Sequence, residues 1–169
     1  MLKNTAEFKI FNENISGWDT SQVTDLFYSF QGQQKFNGDL SGWDTSRVTK
    51  FRKVFENASE FNGDISTLDV SKSQDFWGMF THTEKFNSNI SNWNLSGGLI
   101  SLMFWDAEVF NCDINSWDIS NIDNIFALFA GTNKFNSDLS EWDTGKVTAM
   151  NNCHRFKKFQ WEPFWLGHF

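Results

Sequence analysis

The chain has 169 residues, enough for one domain around one continuous core. Its formal net charge of -7 sets its average field against nucleic acid and anionic membrane surfaces and leaves basic or neutral partners. With 20 Phe and 9 Trp it carries more apolar ring than a disordered chain does, and no apolar run approaches the roughly 18 residues of a membrane span.

The first twenty residues hold no charged segment followed by an apolar one, so no secretory signal is legible there. From Phe11 onward the pair Phe-Asn recurs at Phe36, Phe61, Phe86, Phe110 and Phe135, at spacings of 25, 25, 25, 24 and 25. Each pair opens a longer string, as in FNENISGWDTS and FNGDLSGWDTS. The chain therefore reads as a tandem array of about six units over residues 1–155. A decayed seventh copy starts at Phe159, with Leu166 in the Trp place.

Two apolar rhythms run through each unit. Ile15, Trp18 and Thr20, like Leu40, Trp43 and Thr45, follow apolar-x-x-apolar-x-(apolar or Thr), the leucine-rich-repeat rhythm of a short strand. A Ser or Gly comes next, then Val23, Leu26 and Phe30 at helical spacing, repeated by Val48, Phe51 and Phe55. The expected fold is an α/β solenoid of leucine-rich-repeat type, with one short parallel strand and one short helix per repeat.

The recurring residues divide by role. Trp18, Trp43, Trp93, Trp117 and Trp142, with Leu68 in the third unit, behave as inward core rather than as a platform for a glycan. Asn12, Asn37, Asn62, Asn87, Asn111 and Asn136 suit turn-bonding ladders. The carboxylates Asp19, Asp44, Asp69, Asp118 and Asp143 are expected to point outward and are the candidate binding residues. Like charges stacked so closely need an offset: a helix N-terminus, a bound calcium or a basic partner. Asp39, Asp64, Asp113 and Asp138 form a further acidic column, and no spacing matches a calcium loop.

Catalytic constellations are missing. His82, His154 and His168 lie in different or terminal units, and no nucleophile elbow or phosphate-binding glycine loop occurs. The expectation is a non-enzyme with no cofactor and no metal. Cys112 and Cys153 read as free thiols. Residues 156–169 leave the repeat, and the aromatic Phe164, Trp165 and Phe169 are expected either to fold back as a cap or to anchor a protein partner.

The string FN-x-D-[IL]-S-x-W-D-[VT]-S-x-V-T, in register over roughly residues 8 to 155, resembles the repeat of BspA-like bacterial surface proteins. That resemblance implies a repeat fold, placement at the cell surface or outside it, and adhesion or protein contact, with no catalytic residues. The bulk at Phe51, Phe76, Trp77 and Trp105, where that family usually carries Met, is a departure. Two functions follow as expectations. The first is an interaction or adhesion module using the outward sheet face and its variable positions Gly17, Gly42, Thr67, Asn92, Ser116 and Glu141. The second is a constitutive subunit of a larger assembly, docked through the aromatic tail and an uncapped end.

Overall fold

The computed structural model describes residues 10–95 and 97–153. Within them the repeats stack as rungs, each opening on a Phe of the Phe-Asn pair. Rung 1 is residues 11–35, rung 2 is 36–60, rung 3 is 61–85, rung 4 is 86–109 and rung 5 is 110–134, with 135–153 the described part of rung 6.

The expected strand and helix do not form. Among the described residues no continuous strand or α-helix is present, and the only bridges are two isolated parallel ones, Asp75 with Leu99 and Asn124 with Ala149. Where the strand was expected, the N–H of Trp43 closes a turn on the Leu40 carbonyl at 3.0 Å, and Val48 closes the next on Thr45 at 2.9 Å. Where the helix was expected, three-residue turns follow one another. Val54 bonds Phe51, Glu56 bonds Lys53, Ala58 bonds Phe55 and Phe61 bonds Ala58. The two apolar rhythms are real, but a chain of β-turns satisfies them as well as a strand or helix does.

What displaces the helix is a ladder between rungs. An α-helix would bond the Phe55 N–H to the Phe51 carbonyl; it goes instead to Met79 of the next rung at 3.0 Å. Leu26, Tyr28, Phe30 and Gly32 donate in the same way to Lys50, Arg52, Val54 and Glu56. Alternate peptide units thus turn toward the following rung, and the units between them close the turns. This geometry needs left-handed backbone. Tyr28, Lys53, Gly78, Leu102, Ala127 and Asn152 hold φ between 50° and 62°, the requirement at the third residue of a type II turn. Four residues on, Gly32, Asn57, His82, Asp106 and Gly131 do so again, with φ between 55° and 74°.

Burial repays the strain. Phe11, Phe36, Phe61, Phe86, Phe110 and Phe135 form one column, with successive ring centroids 5.7 to 6.1 Å apart. A second column of Phe30, Phe55, Phe80, Phe104 and Phe129 has 5.6 to 5.7 Å steps. The columns face each other at 3.8 to 4.2 Å. Each buried ring contributes on the order of 2 to 3 kcal/mol of apolar transfer, and Ile15, Leu40, Ile65, Ile90, Ile114 and Leu139 complete the core.

Polar ladders fix the register. The Oδ1 of Asn12, Asn37, Asn62, Asn87 and Asn111 each accepts the backbone N–H of the next Asn at 2.7 to 2.9 Å. The indoles of Trp93, Trp117 and Trp142 donate one rung back to the carbonyls of Ile65, Ile90 and Ile114 at 3.0 to 3.3 Å. These four rings, counting Trp43, are buried, as the core reading expects; Trp18 in the first rung is 56% exposed.

Candidate interaction face

The carboxylates picked out as binding residues are exposed, and one oxygen of each is engaged. Asp19, Asp44, Asp69 and Asp118 accept the N–H of Ser21, Ser46, Ser71 and Ser120, and Asp143 accepts that of Gly145, all at 2.9 to 3.0 Å. The second acidic column does the same: Asp39 accepts from Ser41, Asp64 from Ser66, Asp113 from Asn115 and Asp138 from Ser140. The offset is therefore a turn N–H two residues on, not the helix N-terminus expected from sequence. Hydroxyl and backbone bonds from Ser21, Ser46, Ser71 and Ser120 hold Asp19, Asp44, Asp69 and Asp118 below the ordinary carboxyl range. Lys72 and Arg47 add to the effect at Asp44.

Charge is not essential to this geometry. Asn14 and Asn89 stand in the second acidic column and make the same bond, to Ser16 and Ser91, at 3.0 Å. Among the described residues no group of three or more His, Cys, Asp and Glu could hold a metal ion. Nor do the variable positions all face a partner. Thr67, Asn92 and Ser116 donate to the carbonyls of Ser41, Ser66 and Ser91 in the preceding rung. Phe164, Trp165 and Phe169, with the whole proposed tail 156–169, lie outside the described residues.

The exposed chemistry lies elsewhere, on the side that carries the ladder. Over rungs 1 to 3 it is a closed cluster. Lys53 Nζ is 2.7 Å from Glu56 Oε1, 4.7 Å from the Trp77 ring centre and 5.8 Å from that of Tyr28. Arg52 Nε bonds Asp75 Oδ2 at 2.8 Å while its guanidinium lies 5.2 Å from the Trp77 ring centre. Gln31 donates to the other Glu56 oxygen. Each cation is paired and half-covered by an indole, worth about 0.5 to 2 kcal/mol per ring contact. The cluster clamps three rungs and leaves little unbalanced charge for a ligand.

Over rungs 4 and 5 the same side turns apolar. Leu99 is 46% exposed, Trp105 40% and Phe126 36%. The Phe126 carbonyl accepts the Leu102 N–H at 2.9 Å, which holds the two rungs together beneath these side chains. His82 borders the patch, its Nδ1 3.3 Å from Asp106 Oδ2 and its ring 5.4 Å from that of Trp105. Large apolar groups exposed on adjacent rungs of one face, where most of the Phe rings among the described residues are buried, are a feature that contact surfaces share. Sequence reasoning directed attention to the acidic columns instead. The available signal was the excess bulk at Trp77 and Trp105.

Among the described residues no helix is long and apolar enough to cross a membrane. The family described as Mycoplasma protein of unknown function, DUF285, matches residues 1–99 and again residues 78–162. No curated protein and no solved structure matches the chain.

Proposed function

We propose, for a chain that belongs to the DUF285 family of Mycoplasma proteins of unknown function, a role as a non-enzymatic protein-interaction module of the BspA-like kind. Its partner docks on the ladder side of rungs 4 and 5. Adhesion is the form of this role that the BspA-like resemblance implies.

The observation that carries the reading is the exposure of Leu99, Trp105 and Phe126 on adjacent rungs. Aromatic anchors supply most of the binding energy in protein interfaces, and water gains when such groups are covered. The acidic columns are a weaker surface, because one oxygen of each carboxylate already accepts a turn N–H group and few apolar groups accompany them.

A photoreactive benzophenone residue placed at position 105, and separately at position 44, tests it on cells producing the full chain. The partner should crosslink from position 105 and not from position 44. Adducts from 44 alone, or from neither, would overturn the reading. A second reading, a constitutive subunit of a larger assembly, is favoured by one observation, the 56% exposure of Trp18 at the first rung.

A further inference from the structure

We infer that the segment of the partner protein which covers the ladder side of rungs 4 and 5 is amphipathic and basic: an apolar side chain seated on Leu99, Trp105 and Phe126, with Lys or Arg beyond it at both edges of the patch. This deepens the docking reading above and rests on it. Every residue it uses lies inside the described stack, with rung 3 before it and the described part of rung 6 after it.

The ladder bonds give the register. Lys50, Asp75 and Leu99 offer successive carbonyls to the rung before, as do Arg52, Trp77, Ser101 and Phe126, and as do Glu56, Thr81, Trp105 and Ala130. On this side of rungs 1 to 3, cations and carboxylates pair off: Lys50 with Asp25 at 3.6 Å, Arg52 with Asp75 at 2.8 Å and Lys53 with Glu56 at 2.7 Å. From rung 4 on, the cations are replaced. Leu99 stands in the column of Lys50, Phe126 in that of Arg52, and Leu102 in that of Lys53.

The carboxylates are not replaced with them. Residues 86–134 carry Asp106, Glu108, Asp113, Asp118 and Asp123 against a single base, Lys134. Asp113 and Asp118 belong to the acidic columns, and the other three frame the patch. Asp106 directly follows Trp105 and, with the exposed Glu108, lies where the chain leaves the ladder side. At the opposite edge the exposed Asp123 precedes Asn124, which is one rung on from Leu99 in the same register. Among the described residues no Lys or Arg forms an ion pair with any of the three; His82 Nδ1 lies 3.3 Å from Asp106 Oδ2.

Charge selects the occupant. An uncharged apolar segment over Leu99 and Trp105 would draw the neighbouring carboxylates out of water without a counter-charge, which costs free energy. An acidic segment adds repulsion. Lys or Arg to either side of the anchor removes that cost, and their apolar stems can lie along the exposed rings.

The test places benzophenone at position 105, which keeps a ring there, in cells producing the full chain, and sequences the adducted partner peptide by tandem mass spectrometry. Lys or Arg should flank the adducted residue on both sides. Adduct yield is then compared in extracts at about 50 and about 300 mM salt, with and without Asp106→Asn, Glu108→Gln and Asp123→Asn combined. Higher salt should lower the yield at least about fivefold, and the triple variant should lower it as much at low salt and lose the salt dependence. Asn57 holds φ 60° in the column of Asp106, so Asn suits that backbone. Should the triple variant melt early, Glu108→Gln with Asp123→Asn leaves the His82–Asp106 contact intact and should show the same trend.

An adducted segment without Lys or Arg overturns the inference while the docking reading stands, and so does a yield that neither salt nor the variants change. An adduct to residues 154–169 of this chain, which include Arg155, Lys157 and Lys158, or to a second copy, overturns the separate partner. No adduct from position 105 means that the docking reading fails and the basic segment with it.

Discussion

The indole Nε1 of Trp117 donates to the carbonyl of Ile90, 27 residues earlier and one rung back, at 3.0 Å. That carbonyl also accepts the turn N–H of Trp93 at 3.1 Å, so one oxygen closes a turn and ties two repeats. Trp117→Phe keeps a ring in the column but removes the donor. Urea denaturation should show a loss of about 1 to 3 kcal/mol, from the bond and the smaller ring. A change within about 0.5 kcal/mol would mean that the indole bond contributes little to the junction.

The left-handed positions reverse the usual sign of alanine and glycine exchanges. Ala127 holds φ 50° and is buried, so Ala127→Gly should raise stability by up to about 1 kcal/mol, against the cost it has in a helix. Gly131→Ala should do the opposite and more, because its Cβ would lie 1.7 Å from Asp106 Oδ1 and Gly131 φ is +74°. Thermal melts of the two variants should move in opposite directions. A fall with Ala127→Gly would refute the strain argument.

Acid sensitivity follows from the Asp turns. In the folded chain Asp19, Asp39, Asp44, Asp64, Asp69 and Asp118 titrate below their ordinary value of 3.8. A folded-state value below the unfolded one means that stability is fully present above about pH 4 to 5 and drains away as pH falls through the depressed values. Melting temperature should therefore hold from neutral pH to about pH 5 and decline below about pH 4. Replacing Asp44, Asp69 and Asp118 together by Asn, which makes the same turn bond without charge at Asn14 and Asn89, should lower the neutral melt by the share that these charges supply and should flatten the acid decline. An equally steep decline in the triple variant would assign acid sensitivity to other groups.

The cysteines should differ in reactivity. Burial pushes the Cys153 thiol up, and its Sγ donates to the Ile125 carbonyl at 2.9 Å. Iodoacetamide near pH 8 should leave Cys153 largely unmodified in the native chain and alkylate it once urea unfolds the stack. Mass spectrometry of tryptic peptides reads the result. Rapid native labelling of Cys153 would show that the last described rung opens readily.

Sequence periodicity carried the repeat length, the inward columns of Phe, Ile and Trp, and the bonding role of Asn. It did not carry the secondary structure, for a definite reason. A β-turn brings residue i against residue i+3, so Ile15 with Trp18, and then Leu26 with Phe30 along successive turns, generate the same spacings as a strand and a helix. Glycine or asparagine at the third residue normally betrays such turns. Here Tyr28, Lys53, Leu102 and Ala127 occupy that place, and Gly78, Asn152, Gly32, Asn57 and Gly131 gave the hint. The apolar part of the ladder side was hidden by the same error. The excess bulk at Trp105 is visible in the sequence, but which side it faces follows only from the turns, which leave it 40% exposed.

The one-way direction of the ladder has an electrical consequence. On that side the N–H groups of every rung point toward the next and the carbonyls toward the last. Peptide dipoles of about 3.5 D then add along the stack, as they do along a helix axis. The backward bonds at Thr49, Glu60 and Lys85 cancel a part of the sum on the neighbouring sides. Across the described rungs the result is a backbone dipole, positive toward rung 6 and negative toward rung 1, before any side chain is counted. Such a dipole adds a directional field to a chain whose formal net charge is -7.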